Sequence, residues 1–255
     1  MRLTKRSIPA ALDNLQLEGL GAPIEVRRHS GARQLTLRVS RTRRTVILTL
    51  PSACELGEAG TFLHRHIDWV RERLGSLPEP VPFHDGAVIP LRGAPHRLTF
   101  AGTRLAGGAV ERVDKGTAKG SLPELRIGGR PEHAPRRLHE WLYDEVRRDL
   151  DTCVLWHARA LRVRPRRITI RDQASRWGSC STTGVLSFSW RLVLAPPLIL
   201  DYLAAHEVAH LAEMNHSTGF WSLVRRTMPR MDEARGWLRH HGMDLHRYGP
   251  PTPRA

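Results

Sequence analysis

The sequence predicts an α+β fold, and three patterns carry that prediction. Leu35, Leu37 and Val39 alternate with polar neighbours, as do Val46, Leu48 and Leu50, which is the period of half-buried strands. Leu138, Leu142, Val146, Leu150, Cys153 and His157 recur at helical intervals, the stripe of a long amphipathic helix. Over residues 198–211 nearly every side chain is apolar except Asp201, His206, Glu207 and His210. A helix of that composition is buried on most sides, and its polar groups need partners.

Taken in order, residues 1–22 read as an N-terminal tail and 23–128 as a strand-rich section with one helix. Period-two patterning starts at Ile24, and the two alternating runs flank an Arg-rich turn, which predicts an antiparallel pair. Ser52 and Glu55 have capping-box spacing. Leu63, Ile67, Val70 and Leu74 then predict one helix ending near Gly75. Pro78, Pro80 and Pro82 form a stiff connector. Short strand-like runs follow at 87–91, 96–100 and 109–113, and the Gly- and Pro-rich stretch 115–135 reads as a boundary.

The second section, 129–247, opens with the long helix, whose stripe reads as core packing. Ile168 and Ile170 suggest a strand, 181–184 a turn, and Leu186, Phe188 and Trp190 a second strand over 185–193. Pro196 or Pro197 suits the first turn of the buried helix, where a missing N–H costs nothing. Two short helices flank Pro229, and 248–255 reads as a Pro-rich C-terminal tail.

Composition narrows the classes. Lys and Arg number 40 against 25 Asp and Glu, a net charge of +15, so the surface attracts polyanions or acidic substrates. The arginines are spread along the chain rather than gathered on one helix, which favours a solvated face over a nucleic-acid reader. Three cysteines, Cys54, Cys153 and Cys180, argue against a disulfide framework and for a reducing compartment. No apolar run reaches the roughly 18 residues of a membrane span, and the expected location is the cytoplasm.

The chemistry concentrates in His206-Glu207-Val208-Ala209-His210, an H-E-x-x-H motif. Four residues of helix turn through about 400°, so both imidazoles leave one face roughly 6 Å apart along the axis. Two ring nitrogens then reach one zinc ion at about 2.0–2.1 Å. Glu207 is rotated out of the ligand direction and can take a proton from a metal-bound water as it attacks a carbonyl, then return it to the leaving amine. A catalytic zinc needs a third protein ligand and an open position. His216 is favoured, because imidazole suits zinc; a continued helix would carry it about 15 Å away, so the chain must fold back. Met214 and Asn215 stand where the reversal is needed, and Asn tolerates the left-handed conformation. Glu213, three residues past His210, is the alternative ligand.

Arg176-Trp177-Gly178-Ser179-Cys180, Ser189-Trp190-Arg191-Leu192, Ala195-Pro196-Pro197, the H-E-x-x-H helix, Asn215-His216-Ser217 and Phe220-Trp221 form an ordered series. The series resembles the YgjP-like metallopeptidases, relatives of the SprT and WLM groups of zincins. The resemblance implies a zincin-like core, with the H-E-x-x-H helix on an antiparallel or mixed sheet. It also implies one zinc ion (Zn2+) on His206, His210 and His216, and Glu207 as catalytic acid/base. Metzincins share the ligand spacing but have Gly where this chain has Glu213, so the turn here is made differently. The expected function is a zinc metallopeptidase acting on a peptide or protein. The alternative from another class is a nucleic-acid-associated protein whose zinc site is structural or vestigial; a protease recruited to nucleic acid by its basic surface lies between them. No membrane partner is expected. Arg176 and Arg191 are candidates to stabilise an oxyanion, with an exposed strand residue the plain reading of Arg191. Tyr202 is a candidate to orient substrate, with core packing the plainer reading. Cys180 reads as a buried strand thiol rather than a nucleophile. The strand over 185–193 is a candidate to receive an extended peptide by strand addition.

Overall fold

Val46, Leu48 and Leu50 all face a core in β3 (Thr45–Leu50), and Ile47 on the other face is covered as well. A strand buried on both faces belongs in the middle of a sheet. Accordingly, β1 (Ile24–Arg28) pairs with β3 in parallel and β2 (Thr36–Ser40) pairs with it antiparallel, in the order β1-β3-β2. The computed structural model describes residues 20–40, 42–102, 105, 109–114, 122–173 and 175–249. Most of the sequence-predicted N-terminal tail and of the C-terminal tail lie outside the described residues.

The chain divides into two units, Met1–Glu79 and Pro80–Ala255, so the break falls in the proline connector. In the first unit, Ala59 and Leu63 of α1 (Leu56–Arg65) and Val70 and Leu74 of α2 (Ile67–Gly75) share a core with Ile24, Val26 and the β3 side chains. The single helix expected here is therefore two, separated at His66 (φ −108, ψ 15). Ser52 makes no capping box: the cap position is Glu55, with no side-chain hydrogen bond. Arg28 explains the late start, since its guanidinium donates to the Ser52 and Cys54 carbonyls at 3.0 and 2.7 Å and holds them outside the helix.

In the second unit, β4 (Val81–Pro82) comes first, then β5 (Val88–Leu91), β6 (Ala94–Gly102), β7 (Val110–Val113) and β8 (Glu124–Gly128). The last four form a sheet in the order β5-β6-β8-β7. β8 lies inside the stretch that reads as a boundary. Its Leu125 and Ile127 are fully buried in the same core as Leu98, Leu138 and Leu142, so a division at 128/129 does not separate two compact bodies. Two alternating apolar residues in a Gly- and Pro-rich setting are too short a signal to reveal a central strand.

α3 (Ala134–Leu161) buries Leu138, Leu142, Val146, Leu150, Val154 and His157 along the expected stripe and ends at Arg162 in the left-handed conformation (φ 57). It is also the anchor for the β5–β6 turn. Arg92, itself left-handed (φ 49), pairs there with Glu145 at 2.7 Å and Asp149 at 2.8 Å. The same turn donates from Arg92 N to the Val193 carbonyl and from Gly93 N to the Leu194 carbonyl. It thereby fixes the segment that leads into the His-rich helix.

The second sheet of this unit has the order β10-β11-β9, built from β9 (Arg167–Arg171), β10 (Gly178–Cys180) and β11 (Val185–Ser189). β11 pairs with β9 in parallel and with β10 antiparallel, so it has partners on both sides and cannot be the edge an extended peptide would join. It is also shorter than expected. Ser189 accepts a hydrogen bond from Arg191 N, and Trp190–Leu194 turns into a 3-10 helix. α4 (Pro197–Ala209) packs on α3 and against β10, followed by α5 (Thr218–Thr227) and α6 (Met231–His241). Finally β12 (Tyr248–Gly249) pairs with β4, so the first two residues of the expected C-terminal tail are in a sheet. The fold is α+β, as the sequence predicts. No helix among the described residues is long and apolar enough to cross a membrane.

Candidate metal centre

α4 starts where the prolines allow it to, with Pro196 at the cap and Pro197 in the first turn. Ile199, Leu200, Leu203, Ala204, Ala205, Val208 and Ala209 bury it on most sides. Of its polar groups, Asp201 is answered by α3: His157 Nε2 lies 3.0 Å from its carboxylate, and the Cys153 thiol bonds to it as well. The bond from His157 holds the Asp201 carboxyl below its ordinary range, while burial, with the Asp201 charge, pushes the Cys153 thiol up to about 12. This clasp joins two helices. It leaves His206, Glu207 and His210 without a structural explanation.

The helix stops just after them. Leu211 N bonds to the Val208 carbonyl and Ala212 N to that of Ala209, the three-residue spacing of a tightening last turn. Side chains then make the reversal. Asn215 Oδ1 accepts from Ser217 N at 3.0 Å, and Ser217 Oγ caps α5 by accepting from Phe220 N at 3.2 Å. Asn215 is not left-handed; among the described non-glycine residues only Arg44, Arg92 and Arg162 have positive φ. Its contribution is the turn its amide oxygen closes. His216 sits between these two bonds and is thereby aimed back at α4.

The result is a cluster. His206, His210 and His216 each offer a ring nitrogen, all within 4.8 Å of one another. The Nε2 atoms of His206 and His216 are 3.1 Å apart. Ligands held at about 2.0–2.1 Å in a tetrahedral shell are separated by roughly 3.3–3.4 Å, so this pair stands close to the spacing of two ligands on one small cation. His210 Nδ1 donates to the Glu213 carbonyl at 3.0 Å, which leaves Nε2 as the free nitrogen and holds the ring in place. Phe220 stacks on His210 at 4.4 Å between centroids and Trp221 on His216 at 5.6 Å, so α5 backs the rings with an aromatic wall. Burial, helped by the charges of His210 and His216, pushes His206 down to about 3. His206 is therefore a neutral imidazole, the form that binds a metal. The donor set fits a divalent ion. Glu213 is not part of the cluster; it serves through its main-chain carbonyl.

Glu207 is 4 % exposed. Burial pushes its carboxyl up to about 8, with the charge of Arg176 pulling the other way. Its side chain lies directly against Gly178 of β10: a Cβ built there would stand 2.5 Å from Glu207 Oε1. A cleft of about 350 Å³ opens beside His206 and Glu207, walled by Trp177, Tyr202, Leu203 and three residues of α6, Arg235, Leu238 and Arg239.

The weaker candidates separate. Tyr202 is largely buried, yet it lines the cleft and meets the His206 ring edge-on at 5.9 Å. Burial, with a smaller contribution from the Glu207 carboxyl, pushes Cys180 up to about 11, so it stays a thiol. Arg191 is neither an exposed strand residue nor an oxyanion donor. Its guanidinium is buried, lies 4.6 Å over the Trp190 ring and pairs with Asp172. Asp172→Ala strands that charge. We expect a loss of about 2 kcal/mol, moderated because the Asp172 side chain is 53 % exposed, measured by urea unfolding; a variant as stable as the parent would show the pair to be idle. Gly178, Trp177, Arg235 and Arg239 escaped the site reading of the sequence. Gly178 had a signal, since a glycine within a strand often marks a close approach of another group. The α6 residues had none, because only the tertiary fold brings that helix to the cleft.

A family model described as the YgjP-like metallopeptidase domain matches residues 33–241. No curated protein matches. Among solved structures, the chain is similar to the crystal structure of the metallopeptidase zymogen of Pyrococcus abyssi abylysin. That likeness has 20 % identity and a TM-score of 0.33, over 36 % of this chain and 92 % of the other.

Proposed function

Since the chain belongs to the YgjP-like metallopeptidase family, we propose that it hydrolyses peptide bonds, with a zinc ion held by His206, His210 and His216 and protons carried by Glu207. One observation carries the reading: three histidine nitrogens converge within 4.8 Å beside a buried carboxylate on the same helix. When bound, zinc supplies Lewis-acid polarisation of a carbonyl and lowers the pKa of water. The chain's own residues do the rest. Glu207 accepts a proton from the attacking water as the oxygen–carbon bond forms, then delivers it to the leaving nitrogen as the carbon–nitrogen bond breaks. Its burial excludes bulk water, which strengthens its electrostatic grip on that proton. The mixed sheet β10-β11-β9 against α4 supports a zincin-like reading of this unit. Strand addition, expected for the 185–193 strand, is better suited to β10. Among the described residues β10 pairs on one side only, and its Gly178 touches Glu207.

Catalysis is favoured over a structural role because the described residues bring three protein ligands together rather than four, and a structural zinc site is closed by a fourth. Elemental analysis tests this. Zinc is expected at about one equivalent per chain, falling to a small fraction in His210→Ala. A full equivalent retained in His210→Ala would place the metal elsewhere and overturn the assignment.

A further inference from the structure

The cleft beside Glu207 has a charge that peptide hydrolysis alone does not require. α6 lines it with Arg235, Leu238 and Arg239, residues spaced three and four apart and hence on one helix face. The Arg235 guanidinium lies 4.6 Å over the Trp221 ring and 3.6 Å from Asp232. Asp232 is also taken at 3.0 Å by Arg225, so one carboxylate answers two cations. Arg239 has no acidic partner among the described residues. Of the residues lining the cleft, the only acid is Glu207, the one already assigned to proton transfer. Trp177, Tyr202 and Leu203 also line the cleft and give it apolar surface.

We infer that this cleft recognises a carboxylate on the substrate residue beside the scissile bond, with Arg235 and Arg239 as its specificity-determining residues. The inference rests on the peptidase reading for the position of that bond and adds the substrate class. A peptide whose carbonyl lies at the histidine cluster must put a flanking group into the neighbouring cleft, because His206 and Glu207 border both. Guanidinium groups match carboxylates in shape as well as charge, and about 350 Å³ suits a single residue rather than an extended segment. Two sources share this chemistry, an Asp or Glu side chain and the free α-carboxylate of a chain end.

The test uses zinc-loaded Glu207→Gln protein, so that binding is read without turnover. Three peptides of equal length are compared by fluorescence anisotropy. One carries an internal Glu, one the matching Gln with an amidated end, and one the Gln with a free terminal carboxylate. Either carboxylate peptide is expected to bind about ten-fold more tightly than the neutral one, a gain moderated by the exposure of both arginines. Whichever of the two gains shows the source. The gain should collapse in Arg239→Gln and shrink in 1 M salt, and Arg239→Glu should turn the preference toward a Lys peptide. Equal binding of all three peptides overturns the inference, as does a preference undiminished in both Arg235→Gln and Arg239→Gln. The two readings fail separately. Cleavage by the wild type with no carboxylate preference removes this inference alone. Carboxylate-selective binding with no cleavage by the wild type supports the cleft and removes the peptidase reading.

Discussion

Glu207→Gln is expected to lower kcat/KM for peptide hydrolysis by at least about 10²–10⁴-fold while leaving zinc near one equivalent per chain. The two side chains are nearly the same size, so the substitution keeps the packing of a residue that is 4 % exposed. What it removes is the ability to accept a proton from water and return it to nitrogen. Among the described residues no hydrogen bond or ion pair holds the carboxylate, and Glu207 is not in the cluster formed by His206, His210 and His216. Metal content and catalysis should therefore separate in this variant, whereas in His210→Ala they should fall together. Purified protein, zinc measurement and one cleavable peptide suffice. Turnover equal to that of the wild type would reject Glu207 as the proton carrier; loss of zinc along with activity would instead place it among the ligands.

Why the histidine cluster was legible and its surroundings were not comes down to the range of the interactions. His206, Glu207 and His210 span little more than one helical turn, so their geometry follows from the pitch of the α-helix. His216 needed only one local event, a chain reversal, and its necessity was readable even though its mechanism was not. The expected left-handed Asn215 is replaced by a side-chain turn from Asn215 and a Ser217 cap, an outcome of the same residue chemistry reached by another route. β3, α3 and α4 were legible for the same reason, since each carries its own period. β8 and β10 were not. Five and three residues long, they exist because of the strands they pair with, and no period of their own announces them. Arg191 shows the limit most clearly. As the next residue in an alternating run it reads as exposed, but the Ser189 cap turns the chain and buries it against Trp190. The cleft is less legible still, since α6 reaches Glu207 only through packing between segments about 30 residues apart in the chain.

Gly178→Ala should cost about 10²-fold in kcat/KM with little change in stability, and that combination distinguishes a positioning residue from a structural one. Gly178 has no positive φ, so alanine can adopt its backbone conformation, and loss of glycine's freedom in the unfolded chain favours the variant by about 0.4–1 kcal/mol. Against this stands the new methyl group, 2.5 Å from Glu207 Oε1, 2.8 Å from Cγ and 2.9 Å from Cδ. Something must move. The strand is tied by Gly178 pairing with Phe188 and by Ser189 N donating to the Trp177 carbonyl, whereas the Glu207 side chain can swing, Cγ included, about its Cα–Cβ bond. The side chain therefore yields, at a packing cost that offsets the backbone gain, and the carboxylate leaves the place from which, on the proposed mechanism, it would meet the attacking water. Thermal unfolding should show a midpoint near that of the wild type while peptide cleavage collapses and zinc stays bound. A double-variant cycle with Glu207→Gln makes the mechanism explicit: if Gly178 acts through the carboxylate, adding Gly178→Ala to Glu207→Gln should change the residual rate by less than about three-fold. Additive losses would show that Gly178 serves something other than Glu207, and full activity in the Gly178→Ala variant would mean that the carboxylate works from a position away from β10.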